Sequence, residues 1–215
     1  MQHTITPDPI NYYAEQYTTP ENQVQAALNR ETHANVRGSQ MISGHLQGMV
    51  LEMLSCMIRP KQILELGTYT GYSAISLAKG LQDGGKLHTI DIDPYLQEMR
   101  DNYWQMSGMS NKIVQHVGEA SAIIPKIKGD FDLVFIDADK KNYGLYFDMV
   151  IDRIPSGAFM IADNVLFQGE VILPQEQQSN TSLHMHDFNK KIANDNRVEQ
   201  VIMPLRDGLM LIRKK

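Results

Sequence analysis

"ILELGTYTGYSAISLA", residues 63–78, passes from an apolar run through a turn bounded by Gly67 and Gly71 into a segment with helical spacing. Strand, turn and helix in that order open a βαβ unit, and the chain beyond it repeats the alternation. "KLHTIDI" (86–92), "KIVQHV" (112–117), "FDLVFI" (131–136) and "GAFMIA" (157–162) are apolar runs separated by helical patterns such as "NYGLYFDMVIDRI" (142–154). Strands with little polar alternation suit a parallel sheet covered by helices on both faces. At the end, "RVEQVIMPL" (197–205) and "GLMLIRKK" (208–215) flank an Asp-Gly pair, the signal of an antiparallel hairpin. The expected fold is therefore α/β, doubly wound. Its seven-stranded mixed sheet is mostly parallel with an antiparallel C-terminal hairpin.

Residues 1–58 read differently. "PENQVQAALNRETHANV" (20–36) and "GHLQGMVLEMLSCMI" (44–58) carry helical spacing, which gives an N-terminal helical extension before an α/β core at 59–215, all within one expected domain. "FQGEVILPQEQQSNTS" (167–182) is irregular and follows a strand carboxyl end, where open α/β sheets bind ligands, so it is expected to face substrate.

With 215 residues, 42% hydrophobic and 21% charged, the composition is that of an ordinary globular chain. The net charge of -5 offers no general attraction for nucleic acid or anionic lipid. One cysteine, Cys56, permits no intrachain disulfide, and its apolar neighbours suggest a buried thiol. The start lacks a leader pattern and no run of about 18 apolar residues occurs, so a cytoplasmic protein without a membrane span is expected. The 13 methionines are expected to fill core gaps.

The Gly67–Gly71 turn is not a dinucleotide fingerprint, because Tyr69 stands where the second glycine of G-x-G-x-x-G would let a pyrophosphate approach the backbone. A nicotinamide cofactor is disfavoured. An adenosine-bearing cofactor without phosphates fits better, and S-adenosylmethionine is one; Asp91 closes the second strand, where an acid commonly binds ribose hydroxyls. The plain alternative is that Gly67 only turns a strand into a helix.

Asp137 ends one strand and Asp163-Asn164 the next, with one helix between, so these strand ends should be neighbours about 4.8 Å apart. Two carboxylates and an amide oxygen form a hard donor set suited to Mg²⁺, with Ca²⁺ or Mn²⁺ also compatible. The bland reading is a turn at Asp163-Asn164 and a helix cap at Asp137. Lys140 projects from the same edge; beside a metal and a sulfonium its ammonium should be easier to deprotonate, which would make it a general base. Lys141 reads as solvated surface. His184 and His186 form a His-x-His pair with no third ligand nearby, which a polar helix start explains better than a metal would.

These segments resemble the cation-dependent O-methyltransferases that include catechol and caffeoyl-coenzyme A O-methyltransferases, a Rossmann-like class I methyltransferase family. "LELGTYTGYSA" (64–74) resembles the family's first cofactor motif, "FIDADKKNY" (135–143) its metal and base motif, and "ADNVLFQGEV" (162–171) its second metal motif. The resemblance implies that Asp137, Asp163 and Asn164 bind the metal and Lys140 is the base. It implies further that Ser43, Glu65, Gly67, Tyr69, Ser73, Asp91, Ala120, Asp137 and Asp139 hold S-adenosylmethionine, and that the protein is a homodimer. Phe167-Gln168 stands where plant relatives commonly carry Trp-Asn, the Asn touching substrate. Gln168 is therefore the substrate candidate, and a small catechol-like or phenolic acceptor is expected rather than a coenzyme A ester. A related bacterial group with a segment similar to "ADNVLF" (162–167) methylates 5-hydroxyuridine in tRNA, which keeps RNA as an alternative acceptor. A non-catalytic cofactor-binding module is the more distant one.

Overall fold

A computed structural model describes residues 5–215. Three helices come first, α1 (Asp8–Gln16), α2 (Gln23–Asn35) and α3 (Gly44–Ile58). The α/β alternation follows: β1 (Gln62–Leu66), α4 (Tyr72–Ala78), β2 (Lys86–Asp91), α5 (Gln97–Met106), β3 (Ile113–Val117) and α6 (Ala120–Ile123). It continues through β4 (Leu133–Ile136), α7 (Tyr143–Val150), β5 (Phe159–Ala162) and α8 (Asn180–Ala193), and closes with β6 (Val198–Met203) and β7 (Leu209–Lys214).

The sheet has the order β3-β2-β1-β4-β5-β7-β6, parallel from β3 to β5 and antiparallel across β5-β7-β6. The seven strands and the C-terminal hairpin are those expected from the sequence. β1 and β4 are neighbours although two strands separate them in the chain, so the winding reverses between them and opens a crevice at their carboxyl ends. Register makes this edge straight. Ile90, Leu66, Ile136 and Ala162 lie side by side across four strands, which sets Asp91, Gly67, Asp137 and Asp163 in the next row.

Strand side chains alternate between two cores. Leu64, Leu66, Val134, Ile136 and Met160 pack with Phe147 and Phe188 on the α7–α8 face. Ile63, Phe135 and Ile161 pack with Leu28, Leu51, Ile75 and Trp104 on the other, beneath α2 to α5. Each such aliphatic side chain contributes about 1.5–3 kcal/mol when fully buried. α2 begins at Asn22, whose side chain accepts from the Val24 and Gln25 amides and caps the helix.

α3 differs from expectation in its outer face. Cys56 is exposed, as are Met53 and Met57, because only Gly44, Gln47, Gly48, Leu51 and Ser55 of this helix are buried. Of the methionines, Met160, Met185 and Met210 do fill the core. Residues Ser39–Ile58 reach a mean hydropathy of 1.2, long and apolar enough to cross a membrane by length and composition; here the segment packs on α4. His184 and His186 lie on α8 on either side of the buried Met185.

The α3–α4 contact is close at Gly80, where an added Cβ would sit 2.2 Å from the Ser55 carbonyl carbon. Gly80→Ala should destabilise by about 1–3 kcal/mol through overpacking. Gly144→Ala, within α7 and with only Lys191 Cδ at 3.6 Å, should stabilise by roughly 0.5–1 kcal/mol. Urea unfolding of both variants checks the pair, and equal effects would contradict this packing.

Candidate functional site

The crevice edge is built first from backbone. Gly67 adopts φ +94°, and a Cβ there would lie 2.0 Å from the Asp137 carbonyl oxygen, so the turn after β1 and the end of β4 meet at a distance only glycine permits. Tyr69, two residues on, also has positive φ, at 49°. What holds it is Asp91: Oδ2 accepts from the Thr68 and Tyr69 amides at 2.9 and 2.7 Å, and Oδ1 accepts from the Asp93 amide at 2.8 Å. Arg100 of α5, fully buried, braces the same turn by donating to the Tyr69 carbonyl at 2.6 Å and standing 3.4 Å from Asp91 Oδ2. Asp91 is thus a builder of the turn as well as a candidate ribose ligand.

Glu65 precedes the strand end by one residue and alternates with Leu64 and Leu66, so its side chain enters the α4 face and not the open edge. Ser73 Oγ donates to Glu65 Oε1 at 2.6 Å, while Oε2 is buried without a partner. Burial, opposed by the Ser73 and Thr89 hydroxyls, pushes this carboxyl up to about 7.

The charged half follows β4 and β5. Asp137 Oδ1 accepts from Lys140 Nζ at 2.7 Å, and Lys140 Nζ also donates to Tyr143 Oη at 2.8 Å. Tyr143 is fully buried, its hydroxyl within 3.1 and 3.2 Å of the Ile136 and Asp163 carbonyls. Burial pushes Asp137 up to about 6; Lys140 opposes that shift and Asp163 adds to it. For Lys140, burial favours the neutral amine, but Asp137, Tyr143 and Asp163 outweigh it and hold the ammonium above its usual range. Lys140 is thus the counter-ion of Asp137, at 2.7 Å.

Asp163 is buried and doubly held, Oδ1 by the Asn164 amide at 2.7 Å and Oδ2 by Gln47 Nε2 of α3 at 2.5 Å. Asn164 takes positive φ, 59°, and its Nδ2 donates to Asp207 Oδ2 at 3.3 Å, leaving the amide oxygen as its free acceptor end. The Gln168 amide also donates to Asp207.

All of this opens into one cleft of about 1090 Å³. Ser43, Gly67, Tyr69, Ser73, Asp91 and Ala120 line one part; Asp137, Asp139, Lys140, Asp163, Asn164 and Gln168 line the other. Of the candidate cofactor, metal, base and substrate residues, Glu65 alone is set back from the wall. Asp139 is tied to Tyr146 Oη and Asn142 Nδ2. The 167–182 segment faces the cleft only through Phe167 and Gln168; the rest runs through short 3₁₀ turns onto α8, its Glu170 carboxylate bonded to Ser179. Among the described residues no three His, Cys, Asp or Glu side chains gather closely enough to hold a metal. The candidate set is two carboxylates and an amide.

Comparison with known proteins gives this geometry a family. Residues 15–215 match the O-methyltransferase family. The chain belongs to that family. It is 35% identical to a caffeoyl-CoA O-methyltransferase of Mesembryanthemum crystallinum over 78% of this chain and 70% of that one. It is 31% identical to caffeoyl-CoA O-methyltransferase 1 of Eucalyptus globulus over 86% of this chain and 79% of the other. The structure of a Bacillus cereus O-methyltransferase in complex with S-adenosylhomocysteine superposes with a TM-score of 0.86 at 26% identity, covering 96% of this chain and 97% of that one.

Arg100, Gln47, Tyr143 and Asp207 of this O-methyltransferase escaped the sequence reading, and each supports a residue that did not. Arg100 sits in a polar-looking helix, "QEMRDNYWQM" (97–106), where a charged residue reads as surface. Gln47 lies in an apolar helix, and its polar side chain on the buried face, which it shares with Ser55, is what marks it.

Glu65 yields a pH test. Its carboxyl holds a proton more tightly folded than unfolded, so its contribution to stability is complete below about pH 4.5 and lost as pH rises through about 7. At about 1.4 kcal/mol per pH unit, the loss is on the order of 3 kcal/mol. Glu65→Gln should therefore lose less stability than wild type across that window in denaturant titrations. Parallel pH profiles for the two proteins would contradict the assignment.

Proposed function

We propose that this O-methyltransferase moves a methyl group from S-adenosylmethionine to one hydroxyl of a vicinal dihydroxyphenyl acceptor, with a divalent cation, Mg²⁺ first among them, held by Asp137, Asp163 and Asn164. The observation that carries the reading is the shared cleft, in which a glycine-tight turn braced by Asp91 and a pair of buried carboxylates backed by Lys140 face the same space. At about 1090 Å³ the space is at the top of the range of roughly 300–1,000 Å³ for small-molecule sites, which suits two ligands together.

The donor set fits a hard cation. Asp163 adds to the upward push on Asp137, and Lys140 and Arg206 are the positive charges that relieve it. A bound divalent ion would supply the same relief more strongly and polarise acceptor oxygens as a Lewis acid. S-Adenosylmethionine supplies the electrophilic methyl.

The remaining work belongs to side chains. Gly67, Tyr69, Ser73 and Asp91, with Ser43 and Ala120 opposite, would hold the cofactor's nucleoside and amino-acid portions, while Glu65 fixes the Ser73 hydroxyl from beneath. Lys140 would take the hydroxyl proton at Nζ. Burial already favours its neutral form, so its basic state depends on the negative charge of Asp137 being taken up elsewhere. Phe167 and Gln168 wall the acceptor side. Holding both reactants at attack distance is the protein's main contribution. The two plant relatives are named for caffeoyl-CoA, whose caffeoyl group carries vicinal hydroxyls; the acceptor here is assigned to that chemistry without the thioester carrier.

Labelled-methyl transfer to catechols, hydroxycinnamates, caffeoyl-CoA and hydroxyuridine tRNA, in Mg²⁺ and in EDTA, tests this directly. Free catechol-type acceptors should turn over in Mg²⁺ and stop in EDTA. Lys140→Ala should slow transfer by about 10²–10⁴-fold with S-adenosylhomocysteine affinity unchanged. Full activity in EDTA would overturn the metal role, and methylation of tRNA alone would overturn the acceptor.

A further inference from the structure

The loop between β6 and β7 has the Asp-Gly pattern of a plain hairpin turn, yet Arg206 and Asp207 both line the cleft. Arg206 takes φ 51°, a left-handed conformation that a long side chain disfavours and glycine accepts. The conformation sends its guanidinium across to the N-terminal helices, where Nη1 donates to the Ser43 carbonyl and, at 3.1 Å, to Gln47 Oε1. Gln47, buried, passes the contact on, its Nε2 donating to Asp163 Oδ2 at 2.5 Å.

We propose that Arg206 and Gln47 form a positioning chain that holds Asp163 in the orientation required to bind the divalent cation. The inference rests on the metal reading above and extends it to two residues outside the ligand set. An arginine can only donate and an ionised carboxylate can only accept, so an amide between them has one permitted orientation, oxygen to Arg206 and nitrogen to Asp163. Remove the guanidinium and the Gln47 amide is free to turn its oxygen toward Asp163, where it repels the carboxylate. The loop itself does not depend on the Arg206 side chain. The Val165 and Leu166 amides donate to the Gly208 and Asp207 carbonyls at 3.1 and 3.0 Å, and Gly208 lies against Leu166. Asp207 meanwhile holds Asn164, so two consecutive loop residues serve the two consecutive candidate ligands, one through Gln47 and one directly.

A merely structural role for Arg206, stapling the hairpin to α3, predicts something different. Stability would then fall in its absence and cation affinity would not. Arg206→Gly separates the two, because glycine relaxes the left-handed backbone while deleting the contact.

Mn²⁺ affinity by titration calorimetry, with melting temperature recorded alongside, is the test on the full chain. Arg206→Gly should lose about 10–100-fold in Mn²⁺ affinity without a lower melting temperature, as outer partners of metal ligands do. Gln47→Leu should lose at least as much. Because the two act in series, the double variant should bind no more weakly than Gln47→Leu alone. Wild-type Mn²⁺ affinity in Arg206→Gly, or fully additive losses in the double variant, would overturn the proposal. If Gln47→Leu does not fold, Arg206→Gly decides alone. No Mn²⁺ binding by the wild type, or binding undiminished in Asp163→Ala, would overturn the metal reading and this proposal with it, which distinguishes that failure from a failure of the chain itself.

Discussion

Strand register is the constraint on which the site depends. Because Ile90, Leu66, Ile136 and Ala162 pair across four neighbouring strands, the residue after each of them reaches the same edge at the same height. Asp91, Gly67, Asp137 and Asp163 are those residues. A slip of one position in any strand would turn its side chains to the opposite face and carry its edge residue out of the row. The apolar side chains that fix register are thus also what assembles the chemistry. The 2.0 Å approach of a notional Gly67 Cβ to the Asp137 carbonyl shows how little room the row leaves.

Such an edge concentrates costs that the rest of the fold must offset. Of the six non-glycine residues with positive φ among those described, Tyr69, Asn164, Phe167, Gln168 and Arg206 line the cleft, and Arg59 alone does not. Strain of this kind persists where surrounding contacts over-determine the backbone. Those contacts are visible: Asp91 and Arg100 hold Tyr69, while Asp207 bonds the side chain of Asn164 and the backbone amide of Gln168. Buried charge is handled in the same way, Asp137 meeting Lys140 and Asp163 meeting Gln47 of α3 and the Asn164 amide. The supports come from α3, α5 and the β6–β7 loop, so the N-terminal helices take part in the site and do not merely precede it.

What could be read from the sequence was whatever is local. Five parallel strands, the final hairpin and the Asp137, Lys140 and Asp163-Asn164 cluster lie in short segments whose pattern needs no knowledge of distant neighbours, and all twelve candidate cofactor, metal, base and substrate residues other than Glu65 line the cleft. Glu65 stands one residue inside the edge row, its carboxyl bonded to Ser73. Cys56 misled because apolar neighbours in sequence are not neighbours on a helix, where its own direction faces outward. Arg100, Gln47 and Arg206 act through partners 31 to 163 positions away, and long-range hydrogen bonds leave no mark on composition or spacing.

Diffraction from crystals grown with S-adenosylhomocysteine, a catechol and Mn²⁺, recorded for anomalous signal, tests the central claim most directly. One Mn²⁺ peak is expected, bounded by Asp137, Asp163 and Asn164, with the nucleoside against the turn braced by Asp91 and the catechol between cation and Lys140. A cleft that binds the nucleoside but places Mn²⁺ elsewhere, or nowhere, would contradict it.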